Sequence, residues 1–135
     1  MLGEKAYPTD YVDTCRAAVR AHLAAYDALG LPAAKRAAFE RGYVHQLVLA
    51  LDNYFTHRLR GAEGKDGNPL NEVRMLCTSI RSGAGVLEQD STIKWTPEAS
   101  VLGLAIGDPI DVAVTDFARL ADAFLDEIEK RFPSS

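Results

Sequence analysis

Nowhere in these 135 residues is there an apolar run fit to cross a bilayer. The longest, Leu47 to Leu51 and Val101 to Ile106, fall far short of the ~20 residues a spanning helix requires. A membrane is therefore excluded as a partner. The start, Met1-Leu2-Gly3-Glu4-Lys5-Ala6-Tyr7-Pro8, lacks the charged, apolar and small-residue succession of a secretory signal, so the expected location is the cytoplasm. Excess positive charge is missing too. A net charge of −4 provides no basic field, which excludes nucleic acid. Cysteine is scarce: Cys15 and Cys77 stand far apart on apolar helix faces, where a thiol behaves as a small hydrophobe and neither a disulfide framework nor a redox pair is expected. Internal repeats and low-complexity tracts are absent.

What remains is an ordinary globular composition, 47 % hydrophobic and 25 % charged, in a chain of a size that folds as one domain, residues 1–135, without metals or disulfides. The stretch from Pro32 to Arg60 predicts a long spine helix. Val44, Leu47, Val48, Leu51, Tyr54 and Phe55 recur at helical spacing, and Leu49 and Ala50 widen the stripe beyond one face. Its alanine-rich beginning favours helix, Gly42 is its weak point, and His57-Arg58-Leu59-Arg60 places cations against the C-terminal dipole before Gly61.

Before the spine, Thr9 is the expected N-cap of a first helix whose seam reads Val12, Cys15, Val19, His22, Tyr26, Leu29, stopped by Gly30-Leu31-Pro32. After it, Gly61 to Gly67 reads as a polar loop. Asn68-Pro69 then starts a third helix that buries Leu70, Val73, Leu76, Cys77 and Ile80 and ends at Ser82-Gly83-Ala84-Gly85. Residues 86 to 114 give competing signals. Strands at 93–95 and 110–112 would make a short hairpin, whereas Thr96-Pro97-Glu98-Ala99 starts a helix towards Ile106. The last helix is expected from Thr115, with Phe117, Leu120, Ala121, Phe124, Leu125, Ile128 and Phe132 inward and Asp126–Lys130 and Glu127–Arg131 as i,i+4 pairs. The fold class is mainly α: a four-helix, bundle-like domain with a short irregular or β-hairpin insertion near 86–114.

Two constellations of residues could carry chemistry. A metal would need ligands one turn apart, and His22, His45 and His57 have no His, Asp or Glu at that spacing. His22, His45 and Asp52 could share an ion only if the fold brought them together. The segment from His57 to Arg74 is the stronger candidate. His57, Arg60, Lys65, Asn68 and Arg74 gather cationic and polar groups near the N-terminus of the third helix, where free N–H groups attract anions. No P-loop, EF-hand, serine-nucleophile or dinucleotide pattern is present, and no motif calls for a cofactor.

The block Leu51-Asp52-Asn53-Tyr54-Phe55-Thr56-His57-Arg58, followed by Gly64-Lys65-Asp66-Gly67-Asn68-Pro69-Leu70-Asn71-Glu72-Val73-Arg74, resembles a small family of uncharacterised helical proteins from high-GC bacteria. The resemblance spans roughly residues 39 to 132 and implies no assigned activity. Two functions are open. The favoured expectation is a non-enzymatic interaction protein that self-associates, because the spine presents more apolar surface than its partners cover, with Tyr54, Phe55 and Trp95 as anchors. The alternative is a small-ligand protein or enzyme binding an anion or phosphate at residues 57–74, and a metal-binding bundle ranks below both.

Overall fold

Apolar periodicity, joined by an N-cap side chain in one of them, sets the long helices of the computed structural model, which describes residues 3–134. In chain order these are α1 (Thr9–Ala28), α2 (Ala33–Asn53), the single turn α3 (Arg60–Glu63), α4 (Pro69–Ser82) and α5 (Val114–Arg131), with a 3-10 turn at Pro97–Ala99. The fold is mainly α and bundle-like, and no strand forms among the described residues. No helix among them is long and apolar enough to cross a membrane.

α4 starts as its sequence predicts: Asn68 Oδ1 accepts the Leu70 N–H at 2.8 Å with Pro69 in the first turn, and Gly83 ends it in the left-handed conformation at φ 80°. This is the usual pairing of an asparagine cap with a C-terminal glycine. α5 begins at Val114, one residue before Thr115, and its cap comes from elsewhere in the chain. Glu40 Oε1 on α2 accepts the Val114 N–H at 2.8 Å, while Oε2 accepts the Tyr26 hydroxyl at 2.7 Å. Burial pushes the Glu40 carboxyl up, but hydrogen bonds from Val114, Tyr26 and Arg36 outweigh it and hold the group below its ordinary value.

The centre of the molecule is α5, which packs against α1, α2 and α4. Phe117, Leu120, Ala121, Phe124, Leu125 and Ile128 are all buried along it, so the last helix rather than the second is the spine. α2 buries one stripe, Val44, Val48 and Leu51, and leaves Leu47 and Leu49 half-buried. It runs unbroken through Gly42 but ends at Asn53, so His57 to Arg60 do not lie on it. Of the anchors expected for a partner, Phe55 is fully buried and packs 5.7 Å from Phe124, Tyr54 is half-buried, and Trp95 is half-buried with its indole N–H on the Leu104 carbonyl at 2.9 Å. The α1 seam also departs from expectation, because His22 and Leu29 face solvent.

Residues 83–113 form neither the hairpin nor the longer helix. Pairing falls instead between 85–87 and 107–110, where Gly107 N–H donates to Leu87, Leu87 N–H to Asp108 and Ile110 N–H to Gly85. The ladder ends there because the Asp108 N–H turns back to the Ala105 carbonyl and Gly107 takes the Leu87 carbonyl in its place. Buried polar side chains fasten the segment. Glu72 on α4 accepts the Val101 and Leu102 N–H groups at 2.9 Å each, and Ser79 accepts that of Glu88 at 2.9 Å. At the other face, Asp126 and Glu129 pair with Arg16 of α1, so of the two expected i,i+4 pairs only Glu127–Arg131 forms.

Phe124→Ala should cost about 3–5 kcal/mol in urea unfolding, since its ring is wholly buried at the meeting point of α5 with Phe55. Phe39→Ala on α2, 49 % exposed, should cost less than about 1 kcal/mol in the same measurement.

Candidate functional site

α2 ends at Asn53, and distant groups claim the carbonyls of the turn that follows it. The Tyr11 hydroxyl donates to Tyr54 O and the Tyr7 hydroxyl to Thr56 O at 3.3 Å. Glu4 N–H donates to His57 O at 2.7 Å and Leu59 N–H to Glu4 O at 2.9 Å, a one-residue parallel bridge. Gly3 permits that approach, because a Cβ there would stand 2.8 Å from His57 O. The bridge holds His57 at φ 62°, the one left-handed non-glycine residue described. Such a conformation costs about 1–2 kcal/mol for an L residue and persists only where surrounding structure imposes it.

The turn delivers Arg58 into the interior, where its side chain is 2 % exposed. Its Nε donates to Glu63 Oε1 at 3.0 Å, and its Nη1 donates to Asp52 Oδ1 at 3.0 Å and to Phe55 O at 3.1 Å. The guanidinium also lies 5.4 Å from the centre of the Phe124 ring, a favourable cation–π placement. Glu63, 0 % exposed, is the hub. Besides Arg58 it accepts Arg74 through both carboxylate oxygens, Nε at 2.9 Å and Nη2 at 2.7 Å, and Asn71 Nδ2 at 2.9 Å. Burial pushes its carboxyl up, but the Arg74 fork and the Arg58 charge overcome this and bring it to about 2. Two-toothed guanidinium pairing is the strongest form such a contact takes.

Over this network lies a cleft of about 280 Å³ walled by Asp52, Thr56, His57, Arg58, Arg60 and Arg74, with Phe55 behind. Arg60 makes no ion pair among the described residues, whereas Arg74 is held by Glu63. Arg58 Nη2 is buried and has no hydrogen-bond partner, a costly state for a guanidinium N–H.

Of the five residues expected to bind a ligand, His57, Arg60 and Arg74 share this cleft and two do not. Lys65 is exposed on the following loop, where its carbonyl accepts Lys94 N–H at 2.9 Å. Asn68 is consumed as the α4 cap and donates Nδ2 to Glu63 O at 2.9 Å. The N-terminus of α4 is thus closed, and the cationic groups converge on the turn after α2 instead. The loop Gly61–Gly67 is also less free than its composition suggests: Arg131 donates Nη1 to Glu63 O and Nη2 to Asp66 Oδ2, both at 3.0 Å. Its hydrogen bonds with Asn68 and Arg131 hold the Asp66 carboxyl at about 2.

The metal alternative does not assemble. His22 is exposed on α1, His45 Nε2 lies 2.8 Å from the Ile110 carbonyl oxygen, and Asp52 is paired with Arg58. Among the described residues no three His, Cys, Asp or Glu side chains gather where an ion could be held. Arg58 and Glu63 are the residues of this network that sequence reasoning missed, and Asp52 was expected only as a metal ligand; the mixed charges at 52, 58, 63 and 74 were the available signal, but their separations fit no single helix face. In comparison with known proteins the chain matches no family model, no curated protein and no solved structure.

The unfolded chain, with Glu63 at 4.5, takes up its proton before the folded chain does at about 2. That difference is worth on the order of 3 kcal/mol, fully present above the unfolded value and lost as pH falls towards the folded one. Denaturant titrations should therefore show stability declining as pH drops from about 4.5 towards about 2. Glu63→Gln should shrink that decline and cost about 3–5 kcal/mol at pH 7, because Arg58 and Arg74 lose the charge that compensates them.

Proposed function

We propose that this protein binds a small anion, a phosphate or carboxylate, in the cleft between the turn after α2 and α4. One observation carries the reading: three guanidinium groups and an imidazole wall a single cleft, and one of the guanidinium nitrogens is buried without a partner. Glu63 and Asp52 offset Arg58 and Arg74, so the surplus cation is Arg60, with His57 beside it. Arg74 is fixed by Glu63 while 29 % of its side chain stays exposed, so it would need little reordering to receive a ligand, which is where preorganisation raises affinity. Nothing in this arrangement requires catalysis, and the reading is that of a binding protein acting in the cytoplasm.

Self-association is a second reading, supported by the apolar groups left outside at the α1–α2 turn. Leu29 is 65 % exposed, and Phe39 stacks on Tyr26 with 49 % of its own surface open. Light scattering at micromolar concentration distinguishes a 14.7 kDa monomer from a dimer, and a monomer removes this reading.

For the anion site, isothermal titration with inorganic phosphate at low ionic strength should give saturable binding that weakens as salt is raised. Arg60→Ala should weaken it by about tenfold or more, the worth of one charge-assisted hydrogen bond, and Lys65→Ala should leave it unchanged. Absence of binding by both phosphate and acetate would remove the reading.

A further inference from the structure

We infer that the anion bound in the arginine cleft is carried on a planar aromatic ring, which lies in a second hollow adjoining the first across Thr56 and His57. This rests on the anion-binding reading above and narrows its ligand class.

The second hollow, about 410 Å³, is walled by Tyr7, Pro8, Tyr11 and Tyr54 and shares Thr56 and His57 with the arginine cleft. The arginine cleft, about 280 Å³, falls just below the roughly 300–1,000 Å³ of most small-molecule pockets, and the hollow lies within that range. The two differ in chemistry. Tyr11 spends its hydroxyl on the Tyr54 carbonyl, so towards the hollow it offers ring surface rather than a hydrogen bond, and the buried Tyr7, packed by Phe55 and Phe132, backs it. Tyr11 is 40 % exposed although it stacks on Tyr7 at an interplanar angle of 24°. A flat ring gains most from such faces, by offset stacking that does not depend on its substituents.

Charge orients the ligand. Glu4 lies at the rim of the tyrosine hollow, whereas Arg58, Arg60 and Arg74 lie in the other cleft, so the anionic group belongs among the arginines and the ring among the tyrosines. His57 stands at the junction in its left-handed conformation. Strain of this kind concentrates where a side chain must be aimed at a ligand, and here it places an imidazole on the wall common to both spaces.

Aryl phosphates and nucleoside monophosphates share the required chemistry, a ring joined to a phosphate, and titration of the intact protein with phenyl phosphate, adenosine 5′-monophosphate and inorganic phosphate separates them. At least one ring-bearing phosphate should bind about tenfold tighter than inorganic phosphate. Tyr11→Phe and Tyr11→Ala both lose the hydroxyl that holds the Tyr54 carbonyl, so the two should bind inorganic phosphate equally; Tyr11→Phe, which keeps the ring, should retain the preference for a ring-bearing phosphate and Tyr11→Ala should lose it. Should Tyr11→Ala not fold, as judged by circular dichroism, the three-ligand series on the unaltered protein and Tyr11→Phe still decides. Equal binding of all three ligands overturns the ring inference and leaves the anion reading standing. Binding of none overturns both.

Discussion

A carboxylate removed from water must be answered by donors or give up its charge, and the placement of Glu63 makes that constraint the organising one for the functional end of this molecule. Its two oxygens take four donors from Arg58, Asn71 and Arg74. Those donors come from the turn after α2 and from α4, while Glu63 itself sits on the single turn α3. Three segments are thereby fixed to one point. Replacing a buried ion network by apolar side chains is often neutral in stability, so its distinctive contribution is geometry. Here that geometry fixes Arg58 and Arg74, two of the arginines that line one cleft.

The same device recurs twice elsewhere. Glu40 on α2 closes the N-terminus of α5, and Glu72 on α4 receives two successive N–H groups of the irregular segment before α5. Burial raises the Glu72 carboxyl above its ordinary value despite those hydrogen bonds, which marks how far from water it lies. A helical bundle has no sheet edge to which long connections can be stitched. Buried glutamates take that part here, each satisfying backbone or guanidinium groups that would otherwise be orphaned inside.

The turn at 54–58 links architecture to function. It is set by Glu4, Tyr7 and Tyr11, before and at the start of α1, which bond the carbonyls of His57, Thr56 and Tyr54 in the turn itself. These contacts place His57 between a cationic cleft and an aromatic hollow, so one short piece of chain defines both. Loops held by a rigid scaffold are where binding residues concentrate, and this turn is such a loop with its scaffold on both sides.

The helices were legible because their signals are local. Asn68-Pro69, Gly83 and the seven-residue apolar face of the last helix state their roles within a few residues of themselves, and periodicity alone sorted Phe117 to Phe132 inward. Within the candidate site, His57, Arg60 and Arg74 were legible as cations close to one loop, while Arg58 read as a helix cap and Glu63 as part of a solvated loop. Those two were hidden because a charged side chain reads as exposed until its partners are known, and the partners come from separate turns and helices. Tertiary structure alone decided that α2 stops at Asn53, that α5 takes the centre, and that Glu63 is dry. The sequence by itself determined which stretches coil and which faces turn inward, since backbone capping and apolar spacing act over one or two turns; where charges meet is settled only when distant segments compete for the same donors.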